Sequence, residues 1–361
     1  MNERCIIALL GRRDEPTDAV EEYCRYLGGA LRAHGVEMEL ARVPWADGGW
    51  TAALRDLRQR AHAWRGRWAL LQYTALAWSA RGFPLRFLRV MKVLRDAGVR
   101  VAVVYHDVEA YGGGRAIDQL RGRVQVRTMR RALLASDVAV FTVPPANVSW
   151  VPASREKEMF IPVGANLPVT ADANKKSDRG DGVLTAAVFG VTGGAAGVEE
   201  TSRIMEASRF AAKQMGKLRL VVLGRNSESA EAGLRHALRD VSVEISVLGV
   251  LSAEEVVRVL SAADVLLFVR GAISSRRGSA IAGIACGLPV IAYAGSETAP
   301  PVTDAGVVLI AREDPGQLGE ALVRVLTDQD YRALLAERSR VAHRRFFAWP
   351  AIAARYAEFL G

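Results

Sequence analysis

The part of the chain that most narrows its possible folds is residues 266–293, LLFVRGAISSRRGSAIAGIACGLPVIAY. It is entered through an apolar run at 265–269 that reads as a buried strand. A polar loop is expected over 270–279, with adjacent Arg276 and Arg277 and with Gly278-Ser279 at its end. A helix of small residues is predicted over 280–286; Gly287 suits its left-handed cap and Leu288-Pro289 stops it. Residues 290–293 leave as a second apolar strand. A strand–loop–helix–strand unit this short belongs to a parallel sheet. A helix that begins just after a strand's C-terminal end turns free backbone N–H groups and the positive end of its dipole toward the crevice. Two guanidiniums beside it make a phosphate cradle, although an ordinary βαβ unit with solvated arginines would read the same way.

The same alternation runs through the chain. Strands are predicted at 5–10, 38–43, 69–76, 100–105 and 138–143, with helices between them at 20–31, 52–64, 84–97 and 115–135. After residue 184 the pattern restarts, with strands at 185–189, 218–223, 244–248, 265–269, 290–293 and 307–310. Strands alternating with helices of this length give α/β folding with parallel, doubly wound sheets. The segment 168–183, rich in Asp, Asn, Lys, Ser and Gly and without an apolar period, reads as a linker. The expected division is a first Rossmann-like domain over 1–167, a second over 184–342, and a terminal amphipathic helix over 343–361.

Composition sets limits on function. With 361 residues, half of them apolar, two sizeable cores can form. No apolar run is long enough for a membrane-spanning helix, and MNERCIIALLG has no cleavable signal pattern. Cys5, Cys24 and Cys286 are odd in number and widely spaced, so they read as reduced core thiols, and a cytoplasmic location is expected. The five histidines show no metal-ligand spacing. Neither zinc-finger, aromatic-basic nor helix-turn-helix patterns appear, which argues against nucleic acid. The net charge of +9 invites other anionic partners, although only six of the 48 basic residues are lysines and compositional bias accounts for the charge equally well. Residues 115–131 carry Arg115, Arg121, Arg123, Arg127, Arg130 and Arg131 against Asp118 alone. That helix reads either as a solvated basic face or as a surface for an anionic bilayer.

In doubly wound sheets, ligands collect at the C-terminal strand ends. In the first domain the polar exits are Arg12, Arg13 and Asp14, then Gln72 and Tyr73, then His106 and Asp107. His106 reads either as a satisfied structural residue or as a ligand contact. In the second domain, Gly190, Thr192, Gly193 and Gly194 form a glycine-rich turn before a helix, open to close approach by a phosphate, and Arg225 follows the next strand. The turn has neither the full G-x-G-x-x-G spacing nor a Walker lysine, which argues against an NAD-dependent dehydrogenase.

Several of these segments together resemble GT-B glycosyltransferases, in particular the retaining family 4, or group 1. They are VVYHD, the domain-closing IPVGAN, the glycine turn, LGVLSAEEVVRVLSAADVLLFV and AIAGIACGLPVIAY. The resemblance spans the chain. It implies two domains facing a central cleft, a metal-independent and cofactor-free transfer of sugar from a nucleotide-sugar, and a glycan, lipid-linked or small-molecule acceptor. It also implies peripheral membrane association at the inner face, with polysaccharide biosynthesis as the setting. Donor binding would fall to Gly190, Thr192, Gly193, Gly194, Arg225, Ser274, Ser275, Arg276, Arg277, Gly278 and Ser279. His106 and Asp107 would serve catalysis, with His106 touching the donor sugar, and Arg12, Arg13, Asp14, Gln72 and Tyr73 would face the acceptor. Two departures stand out: the family's paired glutamates are replaced by Ser274 and Ala282, and residues 193–199 offer none of the usual diphosphate-binding Arg or Lys. A catalytically degenerate relative that binds a sugar nucleotide or a partner protein, or a GT-B epimerase, is therefore a standing alternative. The sugar, the base, the acceptor, the stereochemistry and the oligomeric state are not legible in the sequence.

Overall fold

The computed structural model describes residues 4–15, 17–152, 157–169, 182–311 and 316–360. The chain divides into two compact units, Met1–Val163 with Trp349–Gly361, and Gly164–Ala348. The expected linker falls mostly on residues 170–181, which lie outside the described residues.

Unit 1 is built on β1 (Arg4–Leu10), β2 (Val36–Arg42), β3 (Trp68–Tyr73), β4 (Arg100–Tyr105), β5 (Val138–Phe141) and β6 (Glu158–Phe160). They form one parallel sheet in the order β2-β1-β3-β4-β5-β6. The near-continuous apolar strands RCIIALL and RVAVVY are what a sheet covered on both faces requires. Its helices are α1 (Ala19–Leu31), α2 (Trp45–Ala63), α3 (Phe87–Asp96) and α4 (Ala116–Ala135). Asp18 caps α1, accepting from the N–H groups of Val20 and Glu21. Helix α2 starts earlier than its amphipathic period suggests and is broken at Gly49, where φ is 75°.

Unit 2 uses β7 (Thr185–Phe189), α5 (Gly194–Met215), β8 (Leu218–Leu223), α6 (Ser227–Ala237), β9 (Val243–Val247) and α7 (Ala253–Ser261). It continues with β10 (Val265–Ala272), α8 (Gly278–Ala285), β11 (Val290–Tyr293), β12 (Val307–Ile310), α9 (Gly316–Thr327) and α10 (Gln329–Ala342). The sheet is again six-stranded and parallel, ordered β12-β11-β10-β7-β8-β9. Ser252 and Glu255 form a capping box at α7. Gly287 takes the left-handed φ of 70° that ends α8.

The terminal helix begins later than the amphipathic pattern suggests. His343–Phe347 make a π-helical turn, Ala348 is extended, and α11 (Trp349–Leu360) then forms with Pro350 in its first turn, where a missing N–H costs nothing. It packs on α1: the Tyr23 and Tyr356 hydroxyls lie 2.9 Å apart and Trp349 stacks on Tyr26 at 5.6 Å. All three cysteines are free, Cys24 and Cys286 being buried.

Candidate functional site

Each sheet has one topological switch point, where the chain reverses its direction of strand addition and opens a crevice. In unit 2 it lies between β7 and β10, which pair directly. The exit of β7 is the glycine turn. Gly190 has φ of 81°, a backbone conformation that favours glycine, and a Cβ there would come within 2.9 Å of the Arg270 Nη1. Helix α5 opens at Gly194 with Gly193 as N-cap and no side-chain cap, leaving its first N–H groups directed at the crevice. Gly197 closes the geometry, since a Cβ there would collide with the Thr192 carbonyl. Arg225 and Asn226 brace the turn from β8: the Arg225 carbonyl accepts from Val191 N–H at 3.1 Å, and Asn226 Nδ2 donates to the Val191 carbonyl at 3.0 Å.

The exit of β10 brings the charge. Its pairing with β11 slips between Phe268 and Ala272, a bulge in which Gly271 adopts φ of 71°. A bulge re-aims the side chains around it, and here it turns Arg270 over Gly190. Arg270 and Arg277 are both partly buried. Burial holds the Arg270 guanidinium below its ordinary value, with Glu200 opposing and Arg225 adding to the fall. Arg277 is lowered to about 10, by burial first and then by Arg276, with Arg270 contributing. Its Nε is buried without a hydrogen-bond partner among the described residues. Arg270 thus lies against the glycine turn, with Arg225 and Arg277 within electrostatic reach of its guanidinium and the buried carboxylate of Glu200 in reach of both Arg270 and Arg277. Removing charge from water while like charges crowd together is costly unless an anion completes the set.

Several expected donor contacts take other roles. Arg276 does not point to a ligand: its Nε and Nη2 donate to both oxygens of Glu297 at 2.7 and 2.8 Å. Ser274 Oγ donates to the same carboxylate at 3.0 Å. Burial would raise Glu297, but the hydrogen bond and charge of Arg276 outweigh it and leave the group lowered. Ser274 and Ser275 are buried, at 0% and 1% exposure, because the loop folds inward toward Glu297. Gly278 and Ser279 form the first turn of α8, which starts two residues earlier than the small-residue pattern implied. Arg270 is absent from the expected donor contacts: the sequence places it at the start of the polar loop, whereas β10 runs on to Ala272, and the adjacent Gly271 is the available signal of a bulge. Nothing in the local sequence indicates that Glu297 reaches back to Arg276.

In unit 1 the switch point lies between β1 and β3. There Arg12, Arg13, Asp14, Gln72, Thr74, Asp107 and Tyr111 are among the residues lining a cavity of about 240 Å³. Gly11 lets β1's exit run against the Ala77 carbonyl, which accepts from Arg12 N–H at 2.8 Å. Tyr73 corrects the expectation that it faces an acceptor. Successive strand residues point to opposite faces, and Tyr73 enters the core against Phe87 and Tyr105 at 5.0 and 5.5 Å, where burial raises its phenol. Gln72 keeps to the cavity side but is buried, with its Oε1 2.8 Å from His106 Nε2. His106 stands edge-on to Tyr23 at 5.0 Å. Asp107 Oδ2 accepts from Ala75 N–H at 2.8 Å and from the Tyr111 hydroxyl at 2.6 Å. The carboxylate therefore ties two loops together.

Beside this cavity, a groove of about 890 Å³ runs between the 110–113 loop and α4, with Arg123, Arg127, Arg130 and Arg131 along one side. Those four arginines are exposed, as are Ile117, Leu120 and Leu134 on the same helix. No helix among the described residues is long and apolar enough to cross a membrane. No group of three or more His, Cys, Asp or Glu side chains suited to a metal ion occurs among them either.

Two parallel doubly wound sheets, with a phosphate-sized glycine turn at the second switch point, define the GT-B class of fold. Residues 190–328 match the family model described as glycosyl transferases group 1. A curated relative, the GDP-mannose-dependent monoacylated alpha-(1-6)-phosphatidylinositol monomannoside mannosyltransferase of Corynebacterium glutamicum, is 29% identical over 157 residues, 42% of this chain and 40% of its own length. The match thus spans less than half of that enzyme. Among solved structures, sucrose-phosphate synthase from Thermosynechococcus elongatus superposes with a TM-score of 0.69 at 19% identity, over 99% of this chain and 98% of that one. Anabaena HepE, in complex with UDP and glucose, gives 0.66 at 14% identity, over 99% of both chains. These two share the fold.

Proposed function

We propose that the protein is a glycosyltransferase that moves a sugar from a nucleotide-sugar to an anionic, lipid-linked acceptor, without a metal and with retention at the anomeric carbon. The observation that carries the donor side is the approach of Arg270 to Gly190, with Arg277 within electrostatic reach of Arg270. Turn N–H groups, the α5 terminus and two desolvated guanidiniums suit a diphosphate dianion. Such a cradle binds the nucleotide and stabilises the charge that builds on the departing diphosphate as the glycosidic bond breaks. A nucleotide partner is also consistent with the UDP bound by HepE.

The acceptor side rests on unit 1. The polar cavity at Arg12, Asp14 and Thr74 suits hydroxyl-bearing groups, and the neighbouring α4 groove suits a phosphate with an apolar tail. The same arginines, with Ile117, Leu120 and Leu134, would hold unit 1 on the anionic inner face of a membrane. The mannosyltransferase relative, named for a phosphatidylinositol mannoside acceptor, fits this chemistry. His106, held by Gln72, is the polar group at the β4 exit that we assign to substrate contact.

The test is a thermal-shift screen with nucleoside diphosphates and their sugars, followed by donor turnover with lipid-phosphate acceptors in chelator. Stabilisation by one nucleotide series and metal-free turnover are expected; at 100 times its Kd a ligand adds about 2.7 kcal/mol. A second reading has one specific observation behind it: Ser274 and Ala282 replace the paired glutamates. Nucleotide binding with no turnover on any acceptor would favour a non-catalytic binding protein.

A further inference from the structure

Glu200 is a buried carboxylate with no place in the donor reading. It lies in the second turn of α5 and is only 6% exposed. One oxygen accepts the Thr192 backbone N–H at 2.7 Å and the other accepts the Thr192 hydroxyl at 2.7 Å. Gly197 permits this contact, since it lets the Thr192 carbonyl settle on α5 just before Glu200. A turn N–H and a hydroxyl beside a helix terminus are the donors that ordinarily receive a phosphate oxygen. Here a side-chain anion already holds them. The same carboxylate lies within electrostatic reach of both Arg270 and Arg277, where it opposes the loss of charge that burial drives. The sequence gives no hint of this, because Glu199-Glu200 reads as an ordinary helical acidic pair.

We infer that Glu200 is an internal counter-anion of the cradle: it neutralises the arginines and occupies the Thr192 donors in the free protein, and it competes with the diphosphate for both. This inference rests on the donor-site reading and adds a determinant of affinity to it. Two guanidiniums, Arg270 and Arg277, could not stay partly desolvated beside the turn without compensating charge, and Glu200 supplies one such charge. The arriving diphosphate takes over that task, so the bound state carries a surplus of negative charge while Glu200 stays ionised. Donor affinity is thereby held below what the arginines alone would give, which favours release of the nucleoside diphosphate after transfer.

The test is calorimetric titration of UDP and GDP into the full-length wild type and Glu200→Gln, with melting curves alongside. Glutamine keeps a carbonyl acceptor for Thr192 N–H and removes only the charge. The expected result is tighter binding of the preferred nucleotide by E200Q, by about tenfold, or roughly 1.4 kcal/mol, even though the variant melts lower. A carboxylate that merely built the turn would give equal or weaker binding in E200Q, and that result overturns the inference while leaving the donor site intact. Failure of the wild type to bind either nucleotide, with no thermal shift from any other nucleoside diphosphate, overturns both. If E200Q is too unstable for titration, inorganic pyrophosphate replaces the nucleotide. Its melting temperature should then rise more with pyrophosphate than that of the wild type, and an equal or smaller rise overturns the inference.

Discussion

Both units carry a six-stranded parallel sheet, ordered β2-β1-β3-β4-β5-β6 in one and β12-β11-β10-β7-β8-β9 in the other, and despite the different strand orders both put the crevice at the same place, between the first strand and the strand that reverses the winding. What fills those crevices differs. In unit 2 the exits of β7 and β10 bring Arg270 and Arg277 into a partly desolvated setting, opposed by Glu200 at both and by Glu297 at Arg277. In unit 1 the exits carry Arg12 and Arg13 with Asp14 nearby, on an exposed loop, and Asp107 is tied to the Ala75 N–H and the Tyr111 hydroxyl. Topology decides where a ligand can sit; desolvation and charge balance decide which ligand it can be. Charges removed from water interact strongly, so unit 2 suits a compact dianion, whereas unit 1 suits neutral hydroxyl groups and a screened, extended anion.

The largest effect that would break this contrast lies in unit 2. Arg277→Ala and Arg270→Ala should each weaken nucleoside-diphosphate binding by about 10- to 150-fold, since each charge-assisted contact contributes roughly 1.5–3 kcal/mol. Lysine should rescue only in part, because it keeps the charge but loses the fork. Arg276→Ala should leave binding within about threefold and lower the melting temperature instead, since its partner is Glu297. Calorimetric titration of all three variants separates these outcomes, and equal losses would return Arg276 to the diphosphate.

Next in size is the α4 face of unit 1. Each arginine near an anionic surface contributes about 1 kcal/mol, so the double variant Arg127→Ala/Arg131→Ala should bind phosphatidylserine-containing vesicles about 30-fold more weakly. Wild-type co-sedimentation should fall as salt rises from about 50 to about 500 mM. Equal binding to neutral vesicles would remove the electrostatic contrast between α4 and the donor cradle.

A smaller effect concerns Glu297. Its folded value lies below the ordinary carboxylate value of 4.5. The ion pair therefore stabilises the fold above that pH, and the contribution is lost as pH falls through the lowered folded value. Wild type and Glu297→Gln should differ in melting temperature at neutral pH and converge once the pH has fallen through the lowered folded value. A constant gap would show that packing, not charge, holds the Ser274–Arg276 loop. The smallest expected change is Tyr111→Phe, which loses the 2.6 Å bond to Asp107 at a cost of about 1 kcal/mol, readable as a small drop in melting temperature.

The sequence by itself determined the repeating strand–helix plan, because buried parallel strands need apolar runs and their covering helices need an apolar stripe. It also marked the glycine turn at Gly190, the cap at Gly287 and the polar strand exits, since these depend on local backbone conformation and residue type. It located the basic loop at Arg276 and Arg277 but not which of the two faces a ligand. Only the tertiary structure decided that Glu297, 21 residues beyond Arg276, claims that guanidinium, that a bulge turns Arg270 onto Gly190, and that Tyr73 enters the core while Gln72 supports His106. Contacts between distant segments, and the side of a strand on which a residue falls, are set by how elements pack, and local sequence carries no record of that packing.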